Sequence, residues 1–159
     1  MHGFGKNLEN LGQLQSKFGK LIGQVTKTAA PRAPEPHQSA SASSREVGAF
    51  GTNPGNLRMH IFVPAQLAAA PPLVVALHGC SQSAAEYAAG TGWSKLAEHL
   101  GFIVLYPEQQ TANNANGCFS WFLPGDVRRD DGEAYSIHQM VQHIVAAYGV
   151  DRTRIYVTV

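Results

Sequence analysis

Leu73-Val74-Val75-Ala76-Leu77-His78-Gly79-Cys80-Ser81-Gln82 is the stretch that decides the fold. Its first five residues are apolar without a break. A strand with one wet face alternates apolar and polar side chains, whereas an uninterrupted run suits a strand buried on both faces. His78 and Gly79 end the run, and a helix is expected to follow. In an open α/β sheet, ligands bind beyond the carboxyl ends of the strands. A turn opened there by Gly79 lets the backbone N–H groups of Cys80 and Ser81 point into a crevice. Two such donors can hold the negative oxygen that develops in an acyl-transfer transition state. A His-Gly pair by itself occurs in many settings; this one gains meaning from the strand before it and from the elements after it.

Working outward, Phe102-Ile103-Val104-Leu105-Tyr106 is a second unbroken apolar run, ended by Pro107. Residues 154–159 give a third strand, with Ile155, Val157 and Val159 alternating. On the amino-terminal side, residues 47–51 read as a short strand and residues 52–56, Thr-Asn-Pro-Gly-Asn, as a turn. Residues 57–63 set Leu57, Met59, Ile61 and Val63 against Arg58, His60 and Phe62, the period of a strand paired antiparallel to the first. Between the strands, Trp93, Leu96, Ala97 and Leu100 mark a helix closed by Gly101. A longer helix carries the stripe Ile137, Met140, Val141, Ile144, Val145 and Tyr148. Asp130 or Asp131 caps its start, Glu133 lies in its first turn, and Gly149 follows its end. Buried strands alternating with amphipathic helices predict an α/β domain over residues 46–159, with a mostly parallel sheet and helices on both faces.

Two segments precede it. In residues 1–27, Phe4, Leu8, Leu11, Phe18, Ile22 and Val25 recur three, four or seven apart, one face of a short amphipathic helix. Glycines at 3, 5, 12, 19 and 23 each weaken it by ~1 kcal/mol relative to alanine. The segment either docks on a partner or frays, or else anchors the chain to a membrane or a hydrophobic polymer. Residues 28–45 are rich in Pro, Ala and Ser and read as a disordered linker.

Composition narrows the function. The 159 residues suffice for one domain; 44% are hydrophobic, 14% charged, and the net charge is +1. That near-neutral balance argues against nucleic-acid binding, which favours a strong basic excess. Cys80 and Cys118 belong to no C-x-x-C pair and no His/Cys cluster has zinc spacing, so neither metal nor cofactor is expected. They make one bridge in an oxidising compartment or two thiols in a reducing one. No run of 18 apolar residues predicts a membrane span, and Lys17, Lys20 and Lys27 interrupt the place where a secretory signal would need an apolar core.

From about residue 50 to 158 the chain resembles the esterase/polyhydroxybutyrate depolymerase family of α/β-hydrolases. The matching pieces run in family order: Val63-Pro64; Pro72 followed by the quoted stretch through Gln82; Ala88-Ala89-Gly90-Thr91; and Gly101-Phe102-Ile103-Val104-Leu105-Tyr106-Pro107-Glu108-Gln109. They continue with Asn116-Gly117-Cys118-Phe119-Ser120-Trp121-Phe122, Gly132-Glu133-Ala134-Tyr135-Ser136-Ile137, and Val150-Asp151-Arg152-Thr153-Arg154-Ile155-Tyr156-Val157-Thr158. Several motifs in order are far more specific than any one of them. Nothing similar covers residues 1–45.

The resemblance implies the N-terminal part of an α/β-hydrolase fold and a secreted or periplasmic carboxylic ester hydrolase. Its relatives cleave polyhydroxyalkanoates, feruloyl esters or acetyl groups on xylan through an acyl-enzyme. In the family, the strand matching residues 154–158 runs into Gly-Leu-Ser-Ala-Gly-Gly, a nucleophile elbow. Val159 stands where that elbow's first glycine would be, so serine, aspartate and histidine are all expected beyond it and the chain alone is expected to be inactive. The resemblance makes Cys80 and Ser81 the oxyanion turn and His78 a structural residue of that turn, not a base activating a Cys80 thiol. It also favours a Cys80–Cys118 bridge pinning the later loop against the crevice. Ser81 lacks the Gly-x-Ser-x-Gly context of a nucleophile. Phe119, Trp121 and Phe122, in a polar loop, either line the ester cleft or pack over the core. Asp130, Asp131 and Glu133 are explained by helix capping more simply than by acid–base work. Two rival readings use the same residues: a non-catalytic module coating a polymer granule through residues 1–27, and a truncated gene product.

Overall fold

A computed structural model describes residues 43–159. The expected helix at 1–27 and nearly all of the expected linker at 28–45 lie outside the described residues. Among the described residues, one sheet contains β1 Arg45–Val47, β2 Arg58–Phe62, β3 Leu73–Ala76, β4 Ile103–Glu108 and β5 Ile155–Thr158. Helices α1 Ala84–Thr91 and α2 Trp93–Leu100 join β3 to β4, and α3 Gly132–Tyr148 joins β4 to β5. The strand order is β1-β2-β4-β3-β5. β1 pairs antiparallel with β2, and β2 with β4, whereas β4–β3 and β3–β5 are parallel. Parallel neighbours require a crossover, and the helices supply it.

The unbroken apolar runs follow from having helices on both faces. Leu73, Val75, Ile103 and Leu105 point to one side and pack with Met140, Ile144 and Val145 of α3. Val74, Ala76, Val104 and Tyr106 point to the other side and meet Ala84 and Ala88 of α1 and Ala97 of α2. Small alanines let these two helices lie close to the sheet. Full burial of each large side chain in such a core contributes roughly 1.5–3 kcal/mol. The second face also explains Phe62, placed by alternation among the polar residues of β2 but only 5% exposed, because it joins that same cluster.

Local signals set the ends of the elements. Ser83 and Glu86 form a reciprocal capping box at the start of α1. Gly92, at φ +77°, ends α1 and starts α2, and the Gly101 N–H closes α2 on the Ala97 carbonyl at 2.8 Å. Asp131 caps α3 by accepting from the Gly132 N–H at 2.9 Å. The expected strand at 47–51 lies earlier, at Arg45–Val47. Beyond it the chain turns inward to bury Phe50. Gly55 has to be glycine, because a Cβ there would come within 2.6 Å of the Glu133 backbone.

Two apolar features face outward. On α2, Ala97 is buried, but Leu96 and Leu100, expected on the same core-facing stripe, are 45% and 60% exposed. With Trp93, Phe102, Tyr156 and Val157 they line a shallow groove of about 500 Å³. β5 is the edge of the sheet among the described residues, and Val157 on it is 67% exposed.

Candidate active site

The Leu77 N–H donates to the Thr158 carbonyl at 2.9 Å, so the carboxyl ends of β3 and β5 lie side by side. The turn from His78 to Gln82 begins at that point. His78 is 5% exposed and its ring lies against Phe119, centroids 5.0 Å apart. Its Nε2 accepts from the Gln109 N–H at 3.0 Å, and its Nδ1 is 2.8 Å from the Gly79 carbonyl. The Gly79 N–H donates to Gln82 Oε1 at 2.8 Å, and the Gln82 N–H returns to the Gly79 carbonyl at 3.3 Å. With both ring nitrogens engaged, His78 serves no nucleophile.

Cys80 is bonded to Cys118, and no free cysteine remains among the described residues. The bridge fastens the loop after β4 to the turn, and a second tie lies beside it. The Ser81 N–H donates to the Asn116 carbonyl at 2.8 Å. The Ser81 amide, expected together with that of Cys80 to point into the crevice, is thus engaged by a residue of the clamped loop. Ser81 holds φ +62°, a left-handed conformation unusual for a non-glycine residue. Its hydroxyl also faces the Asn116 carbonyl, at 3.4 Å. The Cys80 N–H makes no hydrogen bond to a protein acceptor among the described residues.

A buried network supports the loop from below. Glu133 is 5% exposed and accepts from the Ser120 N–H at 2.8 Å and from the Gln109 side-chain amide. Burial raises its carboxyl above the ordinary range, against the opposing pull of the Ser120 amide. Capping therefore does not explain Glu133: it sits in the first turn of α3, but its carboxylate leaves the helix to hold the loop. Asp131 is the cap, and Asp130 pairs with Arg128 at 3.4 Å on the surface. Nothing in the sequence pattern assigned these three carboxylates to different partners, because those of Glu133 are thirteen and twenty-four residues away.

Phe119 and Trp121, two residues apart in one loop, separate in space. Phe119 is partly buried against His78 and the α3-side core. Trp121 is 76% exposed, edge-on to Phe122 at 6.0 Å. The cleft beside Ser81 is lined mostly by polar and charged residues and includes neither ring. It encloses about 480 Å³ between Arg58, Ser81, Glu86, Glu108 and the 109–117 loop. Glu108, quoted above only within a matching motif, accepts from the Ala84 N–H at 2.7 Å and lies 3.6 Å from Arg58 Nη1, tying α1 to the end of β4. No serine hydroxyl is hydrogen-bonded to a histidine among the described residues, and no three His, Cys, Asp or Glu side chains there could share a metal ion.

A mixed sheet with helices on both faces, and a clamped turn at the carboxyl end of a buried parallel strand, define an α/β-hydrolase-type esterase domain in part. The family model for the esterase PHB depolymerases matches residues 57–159, and the chain belongs to that family. It is 55% identical over 113 residues to poly(3-hydroxyalkanoate) depolymerase C of Paucimonas lemoignei, covering 71% of this chain and 27% of that protein. It is 35% identical over 119 residues to feruloyl esterase B of Talaromyces funiculosus, covering 74% of this chain and 33% of the relative. The solved acetyl xylan esterase from Aspergillus awamori superposes with a TM-score of 0.67 at 34% identity, over 72% of this chain and 41% of that one. The chain thus spans well under half the length of these relatives.

Proposed function

We propose that this chain supplies the oxyanion-donor side of a carboxylic ester hydrolase working through an acyl-enzyme, with a polyhydroxyalkanoate as substrate. The observation that carries the proposal is the Cys80 N–H, which has no protein acceptor among the described residues, on a turn clamped by a disulfide and held beside the end of β5. Such a donor, fixed before reaction, stabilises an oxyanion without reorganising. The nucleophile, aspartate and histidine are assigned to none of the described residues. The 55% identity to a polyhydroxyalkanoate depolymerase favours that substrate over the feruloyl and acetyl esters of the more distant relatives. An extracellular or periplasmic location suits the Cys80–Cys118 bridge, which persists in oxidising compartments. Adsorption to a polymer surface through residues 1–27 is a separate proposal, tested by co-sedimentation with and without that segment.

The deciding experiment grafts residues 43–159 in place of the matching segment of the Paucimonas lemoignei depolymerase. The chimera is expected to hydrolyse p-nitrophenyl butyrate; a folded, soluble and inactive chimera refutes the proposal. The 159-residue chain by itself is expected to show no turnover. Turnover that survives Ser81→Ala would show that the nucleophile has been assigned to the wrong place.

A further inference from the structure

We infer that His78 is the positioning residue of the donor turn: as the neutral Nδ1–H tautomer it anchors the Gly79–Cys80 peptide so that the Cys80 N–H faces away from the protein as an anion donor. This role presupposes that the Cys80 amide is the oxyanion donor proposed above. A neutral imidazole has one donor nitrogen and one acceptor nitrogen. The Gln109 backbone N–H, 3.0 Å from Nε2, can only donate, so Nε2 carries no proton. The proton is then on Nδ1, 2.8 Å from the Gly79 carbonyl, which can only accept. The other tautomer would set N–H against N–H at Gln109 and lone pair against lone pair at Gly79. At 5% exposure, water is poorly placed to relieve either conflict. Gln109 is itself held, its side chain donating to Glu133 and to the Cys118 carbonyl.

The consequence for Cys80 comes from peptide geometry. The Gly79 C=O and the Cys80 N–H belong to one planar unit, and in a trans peptide they point in opposite directions. No cis peptide occurs among the described residues. With the carbonyl drawn to His78 and to the Gln82 N–H, the Cys80 N–H is directed away from both. The disulfide fixes the Cys80 side chain but not this rotation. The peptide could flip about its two flanking bonds with little movement of either Cα, and Gly79 is the residue best able to absorb the change. The hydrogen bonds to the Gly79 carbonyl oppose that flip, and the one from His78 is the shorter. Of the amides at Gly79, Cys80, Ser81 and Gln82, that of Cys80 alone has no protein acceptor among the described residues.

The test uses the 15N-labelled 159-residue chain. Long-range 1H–15N correlation should find His78 protonated on Nδ1 and bare on Nε2 at neutral pH; the opposite tautomer, or a doubly protonated ring, overturns the inference. His78→Asn keeps a donor near the Nδ1 position, whereas His78→Gln reaches only the Nε2 position. The Cys80 amide is expected to keep its shift and fast solvent exchange in H78N, and to move or split in H78Q. One unchanged Cys80 signal in all three proteins overturns the role, and the tautomer measurement stands even if H78Q fails to fold. None of these readouts needs catalysis, so they fail independently of the hydrolase proposal. In the chimera, H78Q should lower kcat about 100-fold with KM little changed, as for loss of one oxyanion donor, and H78N should recover most of it. A parallel loss in H78N and H78Q would leave His78 merely structural and overturn the role.

Discussion

Serine at both Cys80 and Cys118 removes the covalent tie between the turn after β3 and the loop after β4. The bridged residues are 38 positions apart. For a loop of that length the chain-entropy relation gives a change of about 13 cal/mol/K in the unfolded ensemble, or about 4 kcal/mol at 25 °C. That is a large share of the 5–15 kcal/mol by which domains are typically stable. The Ser81–Asn116 and Gln109–Cys118 hydrogen bonds remain available to hold the folded loop in place, so most of the effect should arise from the freed unfolded chain. Urea unfolding of the oxidised protein and of the double-serine variant, followed by the fluorescence of Trp93 and Trp121, measures it. With a slope of about 2 kcal/mol/M the midpoint should fall by about 2 M, and the slope should rise because the unbridged chain exposes more surface. A midpoint shift below about 0.3 M would refute the reasoning, since it would mean that the bridge constrains neither the unfolded chain nor the native loop.

Two further perturbations separate buried roles from exposed ones. Glu133 is raised above its ordinary range by burial, so the folded protein binds a proton more tightly there than the unfolded chain. Its contribution is fully present below the unfolded value near 4.5 and is lost as pH rises through the folded value. Stability against urea should therefore decline over that window in the wild type and be flatter in Glu133→Gln, and parallel profiles would contradict the assignment. Trp121→Ala should change stability by no more than about 0.5 kcal/mol, as for exposed sites, whereas Phe119→Ala, which removes the ring packed on His78, should cost about 1–3 kcal/mol. Equal effects in thermal unfolding would show that the two aromatics do not diverge as described.

Much of the fold was legible in the sequence because it depends on local patterns. Doubly buried strands announce themselves as unbroken apolar runs; β3 lies within the first run read that way, and β4 starts in the second but continues past its expected end at Pro107 to Glu108. Gly101 and Gly149 end their helices in the left-handed conformation that glycine adopts freely. Antiparallel pairing of the first two strands followed from a short turn. The misplacements share one cause: periodicity tells which side of an element is apolar, not what covers it. Phe62 was set with the polar residues of β2 because the helices over that face come from later in the chain. Leu96 and Leu100 lie on the apolar stripe that marked α2, yet they stay 45% and 60% exposed among the described residues.

The residues at the end of β3 made a turn legible there, since strand, glycine and turn are encoded within ten consecutive positions. Which amide in that turn stays free was settled by contacts that reach across the chain. Asn116, thirty-five residues on, takes the Ser81 N–H, and Gln109, thirty-one residues on, donates its N–H to His78 Nε2. A hydrogen bond is satisfied by whatever atom folding brings within about 3 Å, and sequence spacing carries no record of that meeting.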